Sequence, residues 1–500
     1  MKWDIIIWDE RLVYETRELM RLFLPQHQIS LRSDPDVHKG TPVNSPGFLC
    51  FIDRIKSTDN LILLYFPANA NHTGNIIKKI PLPADWQRHP EKFKAIKHFF
   101  KQAMYEVMQQ HYPTKLPWGI LTGVRPVKLA HHIMSDKGNR SETIRLLQSE
   151  YHVSPSRAEL AADIVLRQRP VLQSVHPKSV SVYIGIPLCP SRCSYCSFIS
   201  QTVTGPDDPL IAAYMDALAV EMRSALQFIR EMGWFIDCLY IGGGTPSLLT
   251  SVQLDAFMNS LADAWPLDSL QELTFEAGRP DTITREKLNI LRQMPVNRIS
   301  INPQTFNDTT LIRINRRHTV KMFWDAWNLA ESMGFHHINL DLILGLPEEG
   351  PEDIRHTLRE LEKLNLTNLT VHAMALKRGA DLASVHQHQT MSPDVSRELM
   401  EEIYTYSRQQ HLRPYYLYRQ KEMAGHLENV GFSRAGWEGR YNILMMEEKQ
   451  TILGIGAGAV SKQYFPDQDR IHRIPNVKNI PLYIKRMEET GFQRNNWMKS

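Results

Sequence analysis

What the 500-residue sequence lacks narrows the field first. No apolar run approaches the roughly 20 residues that a membrane-spanning helix needs. The opening stretch Met1–Leu12 reaches three consecutive isoleucines and then returns to Trp8, Asp9, Glu10 and Arg11. It therefore has neither the basic start nor the apolar length of a secretion signal, and a cytoplasmic location is expected. Low-complexity tracts and short repeats are absent, which excludes collagen-like, disordered and solenoid classes. Cysteine is scarce, five in all, an odd number and wrong for a disulfide framework. A dominant charge sign is missing too: 58 Lys+Arg against 54 Asp+Glu leave a net +4.

What is present fits a large folded chain. Hydrophobic residues make up 42% and charged residues 22%, enough for a sizeable core, and the length implies more than one domain. The charge is unevenly spread: residues 1–176 hold 24 Lys+Arg against 17 Asp+Glu, the remainder 34 against 37. Residues 1–175 predict an α+β accessory domain, with strands at Trp3–Trp8, Pro46–Ile52 and Asn60–Phe66 and a helix over Pro90–His111. The Pro-marked stretch Arg169–Lys178 is the expected linker. From there to about residue 385, short β-rich runs alternate with amphipathic helical patterns. The runs are Ser181–Ile186, Asp237–Ile241, Glu272–Glu276, Arg298–Ile301, Ile338–Ile343 and Asn368–Met374. Repeated βα units mean a parallel sheet, and six of them predict an α/β fold of partial (β/α)6, TIM-like form, with an open doubly wound sheet as the other arrangement. Residues 386–500 lose the rhythm and are expected to form a C-terminal α/β extension that covers the substrate.

Three of the five cysteines, Cys189, Cys193 and Cys196, fall within eight residues, on a loop after the first of these strands. In parallel βα architectures active sites assemble at that strand end. Three thiolates spaced CxxxCxxC can hold three corners of a [4Fe–4S] cluster, one per iron, leaving the fourth iron for a non-protein ligand. A structural zinc ion would need a fourth ligand, normally from a second Cys or Cys/His pair, and no such pair follows. Cys50 and Cys238 lie alone in apolar runs and read as small buried hydrophobes.

The CxxxCxxC spacing with Tyr195 before its last cysteine, followed by Gly242-Gly243-Gly244-Thr245-Pro246 at the end of the next strand, resembles the radical S-adenosylmethionine (SAM) superfamily. Glycine there lets backbone approach a ligand closely. Further landmarks resemble its oxygen-independent coproporphyrinogen III oxidase family: Tyr183 in VYIGIP, Glu276 in TFEA, Gln304 in RISINPQTF, Arg316 twelve residues on, and Asp341 in DLILGLP. The phrase Glu276–Asp281 and the N-terminal region look most similar to the HemZ-type subgroup. The resemblance implies a radical SAM barrel with a [4Fe–4S] cluster on Cys189, Cys193 and Cys196. It implies SAM contacts from Tyr183, Tyr195, Gly243, Gly244, Thr245, Glu276, Gln304, Arg316, Asp341 and Ala375. It further implies oxidative decarboxylation of coproporphyrinogen III to protoporphyrinogen IX by a 5′-deoxyadenosyl radical, with no acid–base side chain demanded and therefore no residue named as catalytic.

Two positions depart from the family's oxidases. Gly185 stands where they carry a histidine four residues before the first cysteine, and Phe198 where they carry a fourth cysteine. A haem-binding or trafficking protein of the same family is the alternative, although its H-N-x-x-Y-W pattern is absent around Arg440-Tyr441-Asn442. A radical enzyme acting on RNA, and a zinc-stabilised binding module, are the other classes considered. The basic N-terminal region could dock an acidic electron donor such as a flavodoxin or ferredoxin, or hold nucleic acid, but its excess is modest and its positive charges are scattered, so an ordinary solvated surface is the leading reading. Gly454–Ala459 formally matches G-x-G-x-x-A, but Pro466 interrupts any following helix and residues 474–480 contain no acid. A glycine-rich strand packing closely beside the substrate pocket is the better reading. His131-His132 and His336-His337 lack metal-binding spacing. His386 and His388 read as solvent-exposed, and Arg378 either binds a substrate carboxylate or is solvated.

Overall fold

The computed structural model describes residues 3–24, 28–38, 47–55, 58–66, 75–81, 90–196, 198, 201–374, 391–420 and 423–490. The chain divides into two compact units, residues 1–162 and 163–500.

The first unit carries β1 (Trp3–Ile7), α1 (Val13–Met20), β2 (Ile29–Ser33), β3 (Gly47–Ile55), β4 (Thr58–Phe66) and β5 (Asn75–Pro81). These strands form one sheet in the order β2-β1-β3-β4-β5. β1 is parallel to both neighbours, and β3, β4 and β5 form an antiparallel meander. Helix α2 (Pro90–His111) follows, then α3 (Pro126–Lys137) and α4 (Arg140–Tyr151). Phe100, Met104 and Met108, at helical spacing on α2, share one buried core with Trp3, Ile5, Ile7 and Phe48. The sequence pattern missed β2 and β5. Alternation in β2 is masked by its exposure, and Lys78-Lys79 interrupts β5. Helix α5 (Pro155–Gln173) crosses from the first unit into the second.

The second unit is built on β6 (Ser179–Ile186), the short β7 (Leu188–Cys189) and β8 (Gln201–Thr202), α6 (Pro209–Glu231), β9 (Phe235–Gly243), α7 (Ser251–Ala264), β10 (Glu272–Glu276), α8 (Arg285–Gln293) and β11 (Arg298–Ser300). It continues with α9 (Asp308–Arg313), α10 (Val320–Ser332), β12 (Ile338–Leu344), α11 (Pro351–Leu361) and β13 (Asn368–Ala373). The six strands β6-β9-β10-β11-β12-β13 are parallel neighbours in chain order, the arrangement the βα rhythm predicts. Local chemistry starts each helix. Asp208 caps α6, whose first residue is Pro209; Thr250 and Gln253 form a reciprocal capping box on α7; Thr284 and Thr319 cap α8 and α10.

The last part of the chain joins the same sheet at both ends. After α12 (Pro393–Gln409), β14 (Arg413–Tyr418) and β15 (Asn429–Ser433) add antiparallel strands beyond β13. After α13 (Arg440–Glu447), β16 (Thr451–Ile455) pairs parallel with β6, and β17 (Val460–Phe465) and β18 (Arg470–Pro475) extend that side before α14 (Ile480–Thr490). Strand alternation separates two faces. Leu239, Ile241, Leu273, Phe275, Ile299, Leu340, Leu369 and Val371 are fully buried on one. Tyr240, Thr274, Glu276, Arg298, Ser300, Asn339, Asp341, Thr370 and His372 occupy the other, polar one. Cys50 and Cys238 are buried, as their apolar runs predict. Among the described residues, no helix is long and apolar enough to cross a membrane.

Candidate active site

The site begins where β6 ends. Pro187 stops the strand, and β7 carries the chain into the cysteine loop, whose two ends are tied by Leu188 pairing with Gln201 and Cys189 with Thr202. Within the loop the Cys196 N–H donates to the Cys193 carbonyl at 3.0 Å, a tight turn that draws those two cysteines together. Among the described residues, no three His, Cys, Asp or Glu side chains converge on a single-ion site. A [4Fe–4S] cluster takes one thiolate per iron and needs no common ligation point. The donor set of three thiols on one loop therefore fits the cluster.

The glycine-rich end of β9 lies against this loop. Gly244 N donates to the Ile186 carbonyl at 2.9 Å and Thr245 N to the Leu188 carbonyl at 2.8 Å. The Thr245 hydroxyl stands 3.7 Å from Cys189 Sγ. A Cβ on Gly244 would lie 2.5 Å from the Leu188 carbonyl oxygen and 2.8 Å from Cys189 Sγ. Gly243 has φ 123°, and a Cβ there would meet the Ile186 backbone at 2.9 Å. Only glycine permits that approach.

Next to it, at the end of β10, Glu276 accepts from the Tyr240 hydroxyl at 2.5 Å and from Gly243 N at 3.1 Å. Burial pushes its pKa up to about 7, against the lowering effect of those two donors, while the nearby Asp341 charge adds to the rise. Asp341 on β12 accepts from Asn339 Nδ2 at 2.8 Å and lies 3.9 Å from His372 Nε2. Burial alone would raise its pKa, but His372 and Asn339 outweigh it and hold the carboxyl below the ordinary range. His372 Nδ1 in turn is 3.3 Å from the Tyr418 hydroxyl. Tyr183 stacks over Tyr240 at 6.0 Å, and Tyr240 over Tyr441 at 4.6 Å. Among the described residues, Ser300 Oγ and Asn302 Oδ1, at and just beyond the end of β11, are buried polar atoms with no hydrogen-bond partner, which leaves them open to a polar ligand.

Not every expected residue reaches this strand-end layer. Arg316 is instead beside the cysteine loop: its Nη1 is 3.7 Å from Cys193 Sγ, and its Nη2 donates to the Gly278 and Asn302 carbonyls at 2.7 and 3.0 Å. Tyr195 packs on Leu311, Ile314, Ile343, Leu346 and Met374. Gln304 adopts φ 68° and is bound through its backbone to β12, donating to the Asp341 carbonyl and accepting from Ile343 N, both at 3.0 Å. Ala375 lies outside the described residues, as do Arg378, His386 and His388. At the departure position 185, a Cβ would stand 3.2 Å from the Tyr183 ring, so a larger residue would displace that ring. Phe198, the other departure, is 72% exposed. Sequence reading passed over Tyr240, Ser300, Asn339, His372 and Tyr418. Strand alternation carried the signal for Ser300, Asn339 and His372, which lie two residues from Arg298, Asp341 and Thr370 on the same strand face.

The sequence pattern of the radical SAM superfamily matches residues 183–361. The chain is 37% identical over 402 residues to the oxygen-independent coproporphyrinogen-III oxidase-like protein HemZ of Bacillus subtilis, covering 80% of each chain. It is 30% identical over 283 residues to the heme chaperone HemW of Lactococcus lactis, covering 56% of this chain and 69% of that one. In fold it is similar to the coproporphyrinogen III oxidase HemN of Escherichia coli, with a TM-score of 0.51 and 22% identity over 66% of this chain and 73% of that one. The chain thus belongs to the radical SAM superfamily, whose members use a [4Fe–4S] cluster and SAM, and within it to the HemZ-type, coproporphyrinogen III oxidase-like family.

Proposed function

We propose that the chain catalyses the oxygen-independent oxidative decarboxylation of coproporphyrinogen III to protoporphyrinogen IX in haem biosynthesis. The observation that carries this reading is the glycine end of β9 wedged against the cysteine loop, in a chain 37% identical to a coproporphyrinogen-III oxidase-like protein. Bound there, the cluster and SAM would supply one-electron chemistry able to abstract hydrogen from a propionate side chain, whose loss of CO₂ and of one further electron to an external acceptor would leave a vinyl group.

The chain's own residues hold and orient. Cys189, Cys193 and Cys196 each ligate one iron. Gly243, Gly244 and Thr245 offer backbone and hydroxyl groups at close range to SAM. Glu276 and Asp341, fixed by Tyr240 and Asn339, accept hydrogen bonds from its polar groups. Tyr183, Tyr195, Gln304 and, by resemblance, Ala375 complete the enclosure that keeps water out. Arg316 acts on the cluster side, donating toward Cys193. The substrate partner is a porphyrinogen, the reductant an acidic flavodoxin or ferredoxin, and the setting cytoplasmic.

Kinship with HemW of Lactococcus lactis favours a second reading, a haem-binding or trafficking protein. Anaerobic reconstitution with iron and sulfide, then incubation with SAM, a reductant and coproporphyrinogen III, separates the two. Deoxyadenosine with vinyl product supports the enzyme. Stoichiometric haem binding with untouched coproporphyrinogen supports the carrier. Cys193→Ala is expected to abolish SAM cleavage, and retained cleavage would remove the cysteine assignment.

A further inference from the structure

Four consecutive residues of the cysteine loop are each held by a contact from far along the chain. Ser191 Oγ accepts from Arg279 Nη1 at 2.8 Å. The Arg192 carbonyl accepts from Asn315 Nδ2 at 2.7 Å. Cys193 Sγ stands 3.7 Å from Arg316 Nη1, and Ser194 N donates to the Ile314 carbonyl at 3.1 Å. Two of the four contacts come from buried arginines, Arg279 at 3% and Arg316 at 8% exposure. A buried guanidinium is costly unless paired, and Arg279 is paired: Asp281 receives its Nε and Nη2 at 3.0 and 2.9 Å. That bidentate pair leaves Nη1 to reach across to Ser191. Pro280, between the two partners, restricts the backbone that sets their spacing. Arg279 is not among the residues to which the family resemblance gives a role.

We propose that Arg279, locked by Asp281, is a positioning residue for the iron–sulfur cluster. It fixes the Pro190–Arg192 bridge in the conformation that presents Cys189 and Cys193 together, and with Arg316 it places fixed positive charge beside the anionic cluster. The proposal rests on Cys189, Cys193 and Cys196 being the ligands. Clamp and charge are separable by substitution. Ser191→Ala removes the hydroxyl acceptor and leaves the charge and the longer 3.4 Å contact to the Ser191 carbonyl; Arg279→Lys keeps the charge but not the fork; Arg279→Gln removes both.

The test uses reconstituted holoprotein, with the rate of iron loss to a chelator and the cluster midpoint potential from an EPR-monitored titration as its two readouts. Ser191→Ala and Arg279→Lys should lose iron several-fold faster than the parent with an unchanged midpoint. Arg279→Gln should lose iron faster and shift the midpoint to more negative potential, because a removed cation no longer favours the reduced, more negative cluster. Unchanged iron loss in both Ser191→Ala and Arg279→Lys overturns the clamp even where Arg279→Gln fails to fold. An unchanged midpoint in a folded Arg279→Gln overturns the charge role. A full iron complement in Cys193→Ala removes the ligand assignment, and the proposal with it, whereas the Ser191 and Arg279 results bear on the proposal alone.

Discussion

Glu276 shows how one buried side chain sets a pH response. It titrates near 7 because burial outweighs its two donors, Tyr240 and Gly243 N, while Asp341 raises it further and Arg298 lowers it. A raised carboxyl pKa means the proton is held at pH 6 and lost by about pH 8. The protonated form surrenders one acceptor, so SAM affinity should strengthen on the order of tenfold between pH 6 and pH 7.5. Equilibrium dialysis of SAM across that range would check it, and Glu276→Gln should flatten the profile. A pH-independent affinity in the parent protein would show that Glu276 does not touch the ligand. Sequence placed Glu276 at a strand end, but its titration depends on Tyr240 and Asp341 from two other strands, which no local pattern reveals.

At the scale of elements, the glycine-rich turn after β16 depends on two helices. Glu221 on α6 is buried and accepts from Gly456 N, from Tyr483 Oη on α14, and from Asn476 Nδ2, each at 2.7 Å. Tyr214, two turns earlier on the same face of α6, donates to the Gly185 carbonyl at 2.6 Å and accepts from Ala457 N at 3.1 Å. A Cβ on Gly456 would stand 2.4 Å from that same Gly185 carbonyl oxygen. A Cβ on Gly454 would meet the Val460 backbone at 2.9 Å, so Gly454 and Gly456 are small because β16 is pressed on β17 and β6. Tyr483→Phe removes one of three donors to a buried carboxylate and should cost about 1–3 kcal/mol, read as a lower unfolding midpoint in denaturant. A loss below a few tenths would mean that α14 contributes little to holding this turn. The sequence marked the glycines; Glu221 was invisible because an acid within a helical pattern ordinarily faces solvent.

For the molecule as a whole, two units with separate hydrophobic cores predict two unfolding events. Trp3 is the test position. It is 1% exposed, stacks on Phe48 at 5.4 Å and Tyr65 at 5.9 Å, and donates from Nε1 to the Tyr112 hydroxyl at 3.2 Å. Trp3→Ala should destabilise the first unit by about 3–5 kcal/mol. Calorimetry should show one transition moving down while the iron content of the reconstituted chain is unchanged. A single transition that shifts as a whole would instead mean that the two units unfold together.

The sequence by itself determined the chemistry-bearing loop and the six βα units of a parallel sheet; the order of those strands came from the fold. Thiolate spacing is local, and the period of βα units survives in the hydrophobic pattern whatever the chain does elsewhere. The tertiary structure alone decided that residues 413–475 close both sides of that sheet, since pairing between distant strands leaves no local mark. It also set Arg316 beside Cys193 and gave Arg279 its partner in Ser191, 88 residues away. Those contacts depend on where loops from separate strands meet, and only the assembled sheet fixes that meeting point.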